Sequence, residues 1–346
     1  MKAKLSFSAG IFVTDLLLWS LLCFSIVLGF LCADDIRQYS SISLRFDTPI
    51  SGQAAYAARQ YSISHSDENV FWPTYWTEYK ASLSSEFITT RADCIAFSGD
   101  ALLVFPAKYV SGSAPGVIDG SGCAVSEALA WRLWGNTDVA GMIVDVDGIE
   151  RVIRGVFKGK DELALISFRD EDTTMSWSAV ELQGGAEEVD RETVGRFATI
   201  SGIGQPDYIL MGALSPVAGA MALSPLLVLA VFGLSLIICY VRKRLPTGRK
   251  IIPYLLFAAF AAFLPALLGV LPGKVVPTRW SDFSFWGSLL KQTSSGLREF
   301  LRAAPRSRDV EVRMLLLRQA GIAFLAVCVS LSLCFRWKIR IIGNRE

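Results

Sequence analysis

Four apolar stretches, residues 11–32, 217–241, 251–271 and 314–335, constrain this chain more than any other feature. Each is close to the ~20 residues a helix needs to cross the hydrocarbon of a bilayer. Lipid offers no hydrogen-bond partner, so such stretches must fold as helices, which satisfy their own backbone. The 346-residue chain is 52% hydrophobic with a mean hydropathy of +0.42, yet 19% of it is charged. That is too apolar for an ordinary soluble protein and too charged for a membrane bundle alone. The expected fold is an α-helical membrane bundle of four transmembrane helices plus an extracytoplasmic α+β domain, residues 33–216, inserted between helices 1 and 2. The remaining segments are an N-terminus at 1–10, a basic loop at 242–250, a second exterior loop at 272–313 and a tail at 336–346.

Charge sets the orientation. Lys2 and Lys4 precede the first span, and Arg242, Lys243, Arg244, Arg249 and Lys250 join the second and third. Arg336, Lys338, Arg340 and Arg345 follow the last. Short basic segments stay in the cytoplasm, so both termini belong there. Residues 33–216 carry 26 Asp or Glu against 14 Lys or Arg, a balance of −12 that the total of +2 conceals. An acidic exterior excludes nucleic acid as a partner, since phosphates require clustered bases. The first span has the basic start of a signal peptide, but its length and the lack of a small-x-small site oppose cleavage. Leu31 before Cys32 breaks the lipoprotein pattern, and Asp15 falls at the inner interface of the span.

In the exterior segment, Ile42, Leu44 and Phe46 alternate with Ser41, Ser43 and Arg45, a strand that Pro49 should stop. Residues 53–60 read as a helix, and the aromatic run Phe71 to Tyr79 as core or membrane-proximal packing. Strands are expected over 94–104 and 163–168, and SGIGQP at 201–206 reads as the linker back to the membrane. The strongest local signals fall between Val117 and Phe157. Ser126 stands at an N-cap, and Glu127 to Leu133 reads as a short helix with Ala128, Leu129 and Leu133 inward, ended by Gly135. Met142, Val144 and Val146 then alternate up to Asp147-Gly148, after which Val152, Ile153 and Val156 return, a hairpin signature.

The string AVSEALAWRLWG followed by DVAGMIVDVDGIERVIRGV resembles the periplasmic core domain of MacB-like ABC-transporter permeases, within the wider FtsX-like group. Ser126, Glu127, Ala128, Leu129, Gly135, Val139, Gly141, Gly148 and Gly155 fall on that pattern. The order of one helix, a large exterior domain and three helices is similar too. The resemblance implies a multi-pass protein of the bacterial inner membrane that pairs with a second permease chain and a cytoplasmic ABC ATPase. It also implies that the ATP-driven motion of the helices reaches the exterior domain, moving an amphiphilic or peptide cargo or activating a partner. One departure concerns the loop that would grip the ATPase: relatives carry an R-E-I-G-like coupling helix where this chain has VRKRLPTGRKIIPY, with Arg242, Lys243, Arg244, Arg249 and Lys250. A non-transporting scaffold or sensor whose exterior domain binds a partner protein is the alternative.

Of seven cysteines only Cys94 and Cys123 lie in the exterior domain. Two cysteines in an oxidising compartment are more often paired than free, which makes them a candidate disulfide; in an anaerobic host they stay thiols. In the second exterior loop Trp280, Phe283, Phe285 and Trp286 could anchor in the outer interface among membrane lipids, with Arg298, Arg302, Arg306 and Arg308 facing phosphates. Catalytic chemistry is not advertised. Gly269 to Lys274 lacks P-loop spacing, there is no G-x-S-x-G, and His65 is the sole histidine, expected in a solvated loop. Asp34-Asp35, Asp161-Glu162 and Glu187-Glu188 read as solvated faces, so no enzyme activity, cofactor or metal is expected.

Overall fold

The computed structural model describes residues 2–65, 71–183, 191–212, 214–244, 255, 258–259 and 283–343. Arg249, Lys250, nearly all of the expected span at 251–271 and Trp280 lie outside the described residues. So do the side chains of Arg242, Lys243, Arg244, Phe283, Phe285 and Trp286. The chain divides into two compact units.

The first unit comprises Met1–Arg37, Ala213–Ser295 and Val310–Glu346. Among the described residues three helices are long and apolar enough to cross a membrane, over Phe12–Arg37, Leu214–Ser235 and Ser307–Lys338. They belong to α1 (Lys2–Arg37), α6 (Leu214–Arg244) and α8 (Ser307–Gly343). Pro225 lies inside α6. Leu22 of α1 packs with Ala326, Val329 and Leu333 of α8, and Leu229 of α6 joins them. Gln319, fully buried, donates from Nε2 to the Ala218 carbonyl at 3.3 Å. Asp15 and Arg336 form an ion pair at 2.9 Å, and Arg336 Nη2 also donates to Thr14 Oγ1. The carboxylate read from sequence as interfacial is therefore tied to a base of the last helix. Phe24, Phe324 and Phe335 point outward, as apolar helix surface does where lipid covers it.

The second unit comprises Gln38–Gly212 and Gly296–Asp309. Its strands are β1 (Ile42–Ser51), β2 (Trp72–Ser84), β3 (Thr89–Ser98), β4 (Tyr109–Gly112), β5 (Gly122–Ser126), β6 (Ile143–Val146), β7 (Ile149–Phe157), β8 (Leu163–Ser167), β9 (Ser176–Gln183) and β10 (Tyr208–Met211). The helices are α2 (Gly52–Ser64), α3 (Ala101–Val104), α4 (Glu127–Trp134), α5 (Arg191–Ile200) and the end of α7 (Phe283–Arg302). Strand order is β10-β1-β9-β2-β3-β8-β5-β7-β4, and β6 pairs with both β7 and β2. That last pairing, Leu83 with Val146 and Ser84 with Asp145, closes β2, β3, β8, β5, β7 and β6 into a ring. Each of the six strands sends two side chains into one core, among them Leu83, Cys94, Val125, Val144, Ile153 and Ile166, with Leu129 and Leu133 of α4. Beside the ring, β9, β1 and β10 carry a second core under α2 and α5, built on Leu44, Phe71, Trp177, Val180 and Phe197.

The segment from Ser126 to Phe157 folds as its residues dictate. Ser126 Oγ accepts the Leu129 N–H at the start of α4 and donates to the Asp161 carbonyl at 2.7 Å. Gly135 closes the helix in the left-handed conformation, φ 64°. Ala130 rather than Ala128 completes the inward face. Asp147 and Gly148 both have positive φ, 51° and 86°, which is the type I′ turn that matches strand twist.

Other expectations change. β1 runs past Pro49, because the register shifts between Arg45 and Ile50 and the proline sits where no ladder bond is required. Ser43 and Arg45 are buried along with Leu44 and Phe46, so the alternation misjudged which side is solvent. The strand expected over 94–104 ends at Ser98, and Asp100 caps the short α3 by accepting the Leu102 N–H. After SGIGQP the chain adds β10 before it enters α6. Cys94 and Cys123 are free, buried thiols. β8 lies between their strands, so they stand two strand spacings of about 4.8 Å apart, beyond the roughly 7 Å that a bridge spans. His65 is the C-cap of α2, its ring stacked on Tyr61 at 4.2 Å.

Candidate functional site: a buried joint of arginines and carboxylates

The segment Gly296–Asp309, which leads into the last apolar helix, is part of the α+β unit. Arg308 and Asp309 are buried in that unit and Arg306 is half-buried against it, which corrects the reading of Arg306 and Arg308 as phosphate-facing, while Arg298 and Arg302 are exposed. Arg308 is 3% exposed and pairs with Glu181 of β9, which has no exposed surface. Arg308 Nη2 also donates to Ser41 Oγ at 2.8 Å. Asp309 accepts from Arg45 Nη2 at 3.0 Å and, through its other oxygen, from the Arg306 N–H at 3.2 Å. Arg306 donates to Ser178 Oγ at 2.7 Å and to the Ser178 carbonyl at 3.0 Å. Glu78 of β2 accepts the Ser307 N–H at 2.8 Å, so a carboxylate sits at the positive N-terminus of α8.

Trp76 is the platform of this joint. Its ring is wholly buried, with the guanidinium of Arg45 4.5 Å from the ring centre and that of Arg306 at 5.2 Å. Its Nε1 donates to Glu181 Oε1 at 3.0 Å, so the indole meets two cations and one anion. Glu181 further accepts from Ser41 Oγ and Ser43 Oγ, each at 2.6 Å. A little away, Arg191 of α5 donates to Glu299 of α7 at 2.5 Å, while Phe300 and Ala303 are buried.

Three arginines thus face three carboxylates, and the joint is neutral. Burial pushes the Glu181 carboxyl up, but Arg308, Arg45 and the two serine hydroxyls outweigh it and hold the group below the usual carboxylate value. Burial lowers Arg45 to about 10 against the pull of Asp309 and Glu181. Burial raises Glu78, with the Ser307 N–H and Arg306 opposing. Desolvating so many charges makes the joint a poor source of net stability, but removing one partner strands the others. Such a set of mates fixes one docked position, which is the attribute a mechanical joint needs.

The site expected from sequence lies elsewhere. The basic loop and aromatic anchor fall outside the described residues or side chains, and the structure joins Arg45, Trp76, Glu78, Glu181, Arg306, Arg308 and Asp309, which periodicity had scattered among strand, core and interface. Arg-Ser-Arg-Asp at the mouth of an apolar helix, and Glu181 within the run SWSAVEL, are the sequence marks that point to it. Among the described residues no group of three or more His, Cys, Asp or Glu could hold a metal. A crevice lined by Tyr56, Arg59, Tyr75, Ser98, Asp170 and Trp177 offers about 10 Å³, room for one water at most and not for a small molecule.

No protein-family model and no curated protein matches the chain. Solved structures similar to part of it include the extracellular domain of the noncanonic ABC-type transporter YknZ from Gram-positive bacteria, at 13% identity and TM-score 0.38, over 47% of this chain and 92% of that one. The periplasmic region of MacB from Actinobacillus actinomycetemcomitans aligns at 12% identity and TM-score 0.40, over 51% and 92%. A domain described as part of a permease protein from Porphyromonas gingivalis aligns at 16% identity and TM-score 0.36, over 49% and 86%. Likeness at these scores does not extend to activity.

Proposed function

We propose that this chain is a permease-like subunit of an ATP-driven membrane machine, which passes motion of its membrane helices to an exterior α+β domain. The observation that carries this reading is the buried joint. The first residues of the last apolar helix, Ser307, Arg308 and Asp309, are bonded into the sheet through Glu78, Glu181 and Arg45. A helix whose first turn is part of a folded domain cannot shift without loading that domain, because close-packed, ion-paired joints transmit strain instead of absorbing it. The resemblance of Ser126 to Gly155 to MacB-like permeases supports the same reading. On it, the domain lies outside the cell membrane, both termini are cytoplasmic, and the partners are a separate ABC ATPase and a second permease chain. The work is extraction or export of an amphiphilic or peptide cargo, or activation of a partner.

The second reading, a membrane scaffold or sensor whose exterior domain binds a partner protein, is favoured by the short loop VRKRLPTGRKIIPY, which offers an ATPase little to grip. Copurification of the tagged full chain from mild detergent separates the two. Recovery of an ATPase that is lost when Arg242, Lys243 and Arg244 become alanine is the expected result and locates coupling in that loop. A preparation free of ATPase, also after crosslinking in membranes, leaves the scaffold.

A further inference from the structure

The joint also has an order of assembly built into it. Arg45 and Asp309 are 264 residues apart, Ser41 and Arg308 are 267 apart, and Glu78 and Ser307 are 229 apart. Every other element of the α+β unit lies between Gln38 and Gly212, so the unit waits for one short piece that the ribosome makes only after α6. Before that piece arrives, Glu181 sits amid β1, β2 and β9 with Arg45 as its remaining cation. Arg45 itself lacks Asp309, and its Nε and Nη1 have no hydrogen-bond partner even in the finished fold. Trp76 then has one cation on its ring instead of two. Burying this incomplete set would leave Glu78 without Arg306 and the Ser307 N–H, and Arg45 without its hydrogen bond to Asp309 and only 3.7 Å from Glu181, away from water, which strongly disfavours closure.

We infer that Gly296–Asp309 is a closing strap, and that the α+β unit reaches its final packing only when this segment docks after the last span has begun to be made. Among the described residues the ring of β2, β3, β8, β5, β7 and β6 meets the strap only at Trp76 and Glu78 of β2 and forms first, whereas the lobe carrying β1 and β9 stays open. Premature burial of Glu181 is prevented by its own charge, and the two arginines of the strap lift the block. This sequence of events does not depend on whether an ATPase later drives the protein.

The test is a pulse-chase of the full chain in membranes, with brief protease treatment during synthesis. Resistant fragments containing β1 and β9 are expected only once the chain extends past Asp309. Their appearance on chains that have not reached Gly296 would overturn the inference. In the finished full chain, Arg308→Met is expected to raise the rate of cleavage or of amide exchange in β1 and β9 about a hundredfold, with the β5 and β7 amides of the ring little changed. Adding Glu181→Gln to Arg308→Met removes the stranded charge and is expected to restore most of the protection. Equal protection of β1 and β9 in wild type and Arg308→Met would show that the strap does not close the unit. Failure of the double variant to recover would also overturn the inference, since charge then would not be the block.

Discussion

Glu181 shows how much one side chain can hold. Two guanidinium groups, two serine hydroxyls and an indole N–H converge on it, and all but the Ser41 hydroxyl, which is half-buried, belong to buried residues. Glu181→Ala strands Arg45 and Arg308 together, so the denaturant midpoint of the full chain in detergent should fall by an amount equal to about 3 to 5 kcal/mol. The pH response of the joint has two parts of opposite sign. Glu181 is held below its ordinary value, so its stabilisation is present above that value and is lost as pH falls through the folded one. Glu78 is held above its ordinary value, so the folded state binds its proton first and mild acidification stabilises. Thermal melts should therefore rise slightly as pH drops from neutral and fall steeply in strong acid. Glu78→Gln should abolish the rise and keep the fall. The thiols provide a separate check: burial pushes Cys94 and Cys123 up to about 12, so neither should react with iodoacetamide at pH 8 until the domain unfolds, and reducing agent should not shift its gel mobility. Composition could suggest a bridge here, but only the position of β8 between the two strands shows that the pair is out of reach.

At the scale of elements, α4 and the β6-β7 hairpin were legible in the sequence because their signals are local. An N-cap serine acts on residues three positions away, and an Asp-Gly turn needs no distant partner. Ser126 does more than cap, since its Oγ also accepts the Leu163 N–H at 3.2 Å and so ties α4 to β8. Ser126→Ala should cost about 2 to 3 kcal/mol, more than a simple cap, because the Asp161 carbonyl and two buried N–H groups lose their partner. Gly148→Val places a β-branched residue at φ 86° in open surroundings, so backbone strain alone should lower stability by about 1 to 2 kcal/mol in the same melts. β1 was harder to read. Its alternation marks two faces, but both faces of Ser43, Leu44 and Arg45 are covered, one by the core under α2 and the other by the joint. Period-two patterning assumes that one side meets water, and here that assumption fails.

Across the whole molecule, an acidic domain receives a segment with four arginines against Glu299 and Asp309, so the charge asymmetry seen along the chain is partly cancelled where it matters. In the helical unit, Asp15 and Arg336 form a second pair between residues 321 positions apart. Arg336→Ala should leave Asp15 without this partner and reduce the amount of full-length chain recovered in membranes, while exchanging the two residues should restore it, as quantified by blotting the membrane fraction. What the sequence by itself determined was set by short-range physics: helices over the apolar runs at 11–32, 217–241 and 314–335, an α+β unit drawn mostly from the residues between Gln38 and Gly212, and the Ser126 to Phe157 block with its cap and turn. Only the tertiary structure decided the closed ring of six strands, the free state of Cys94 and Cys123, and the return of Gly296–Asp309 to the sheet. Those depend on which strands become neighbours and on where a buried charge finds its opposite, and neither the pairing of Glu181 with Arg308 nor that of Arg45 with Asp309 leaves a periodic trace. The energy that selects them exists only once water has been excluded from both partners together.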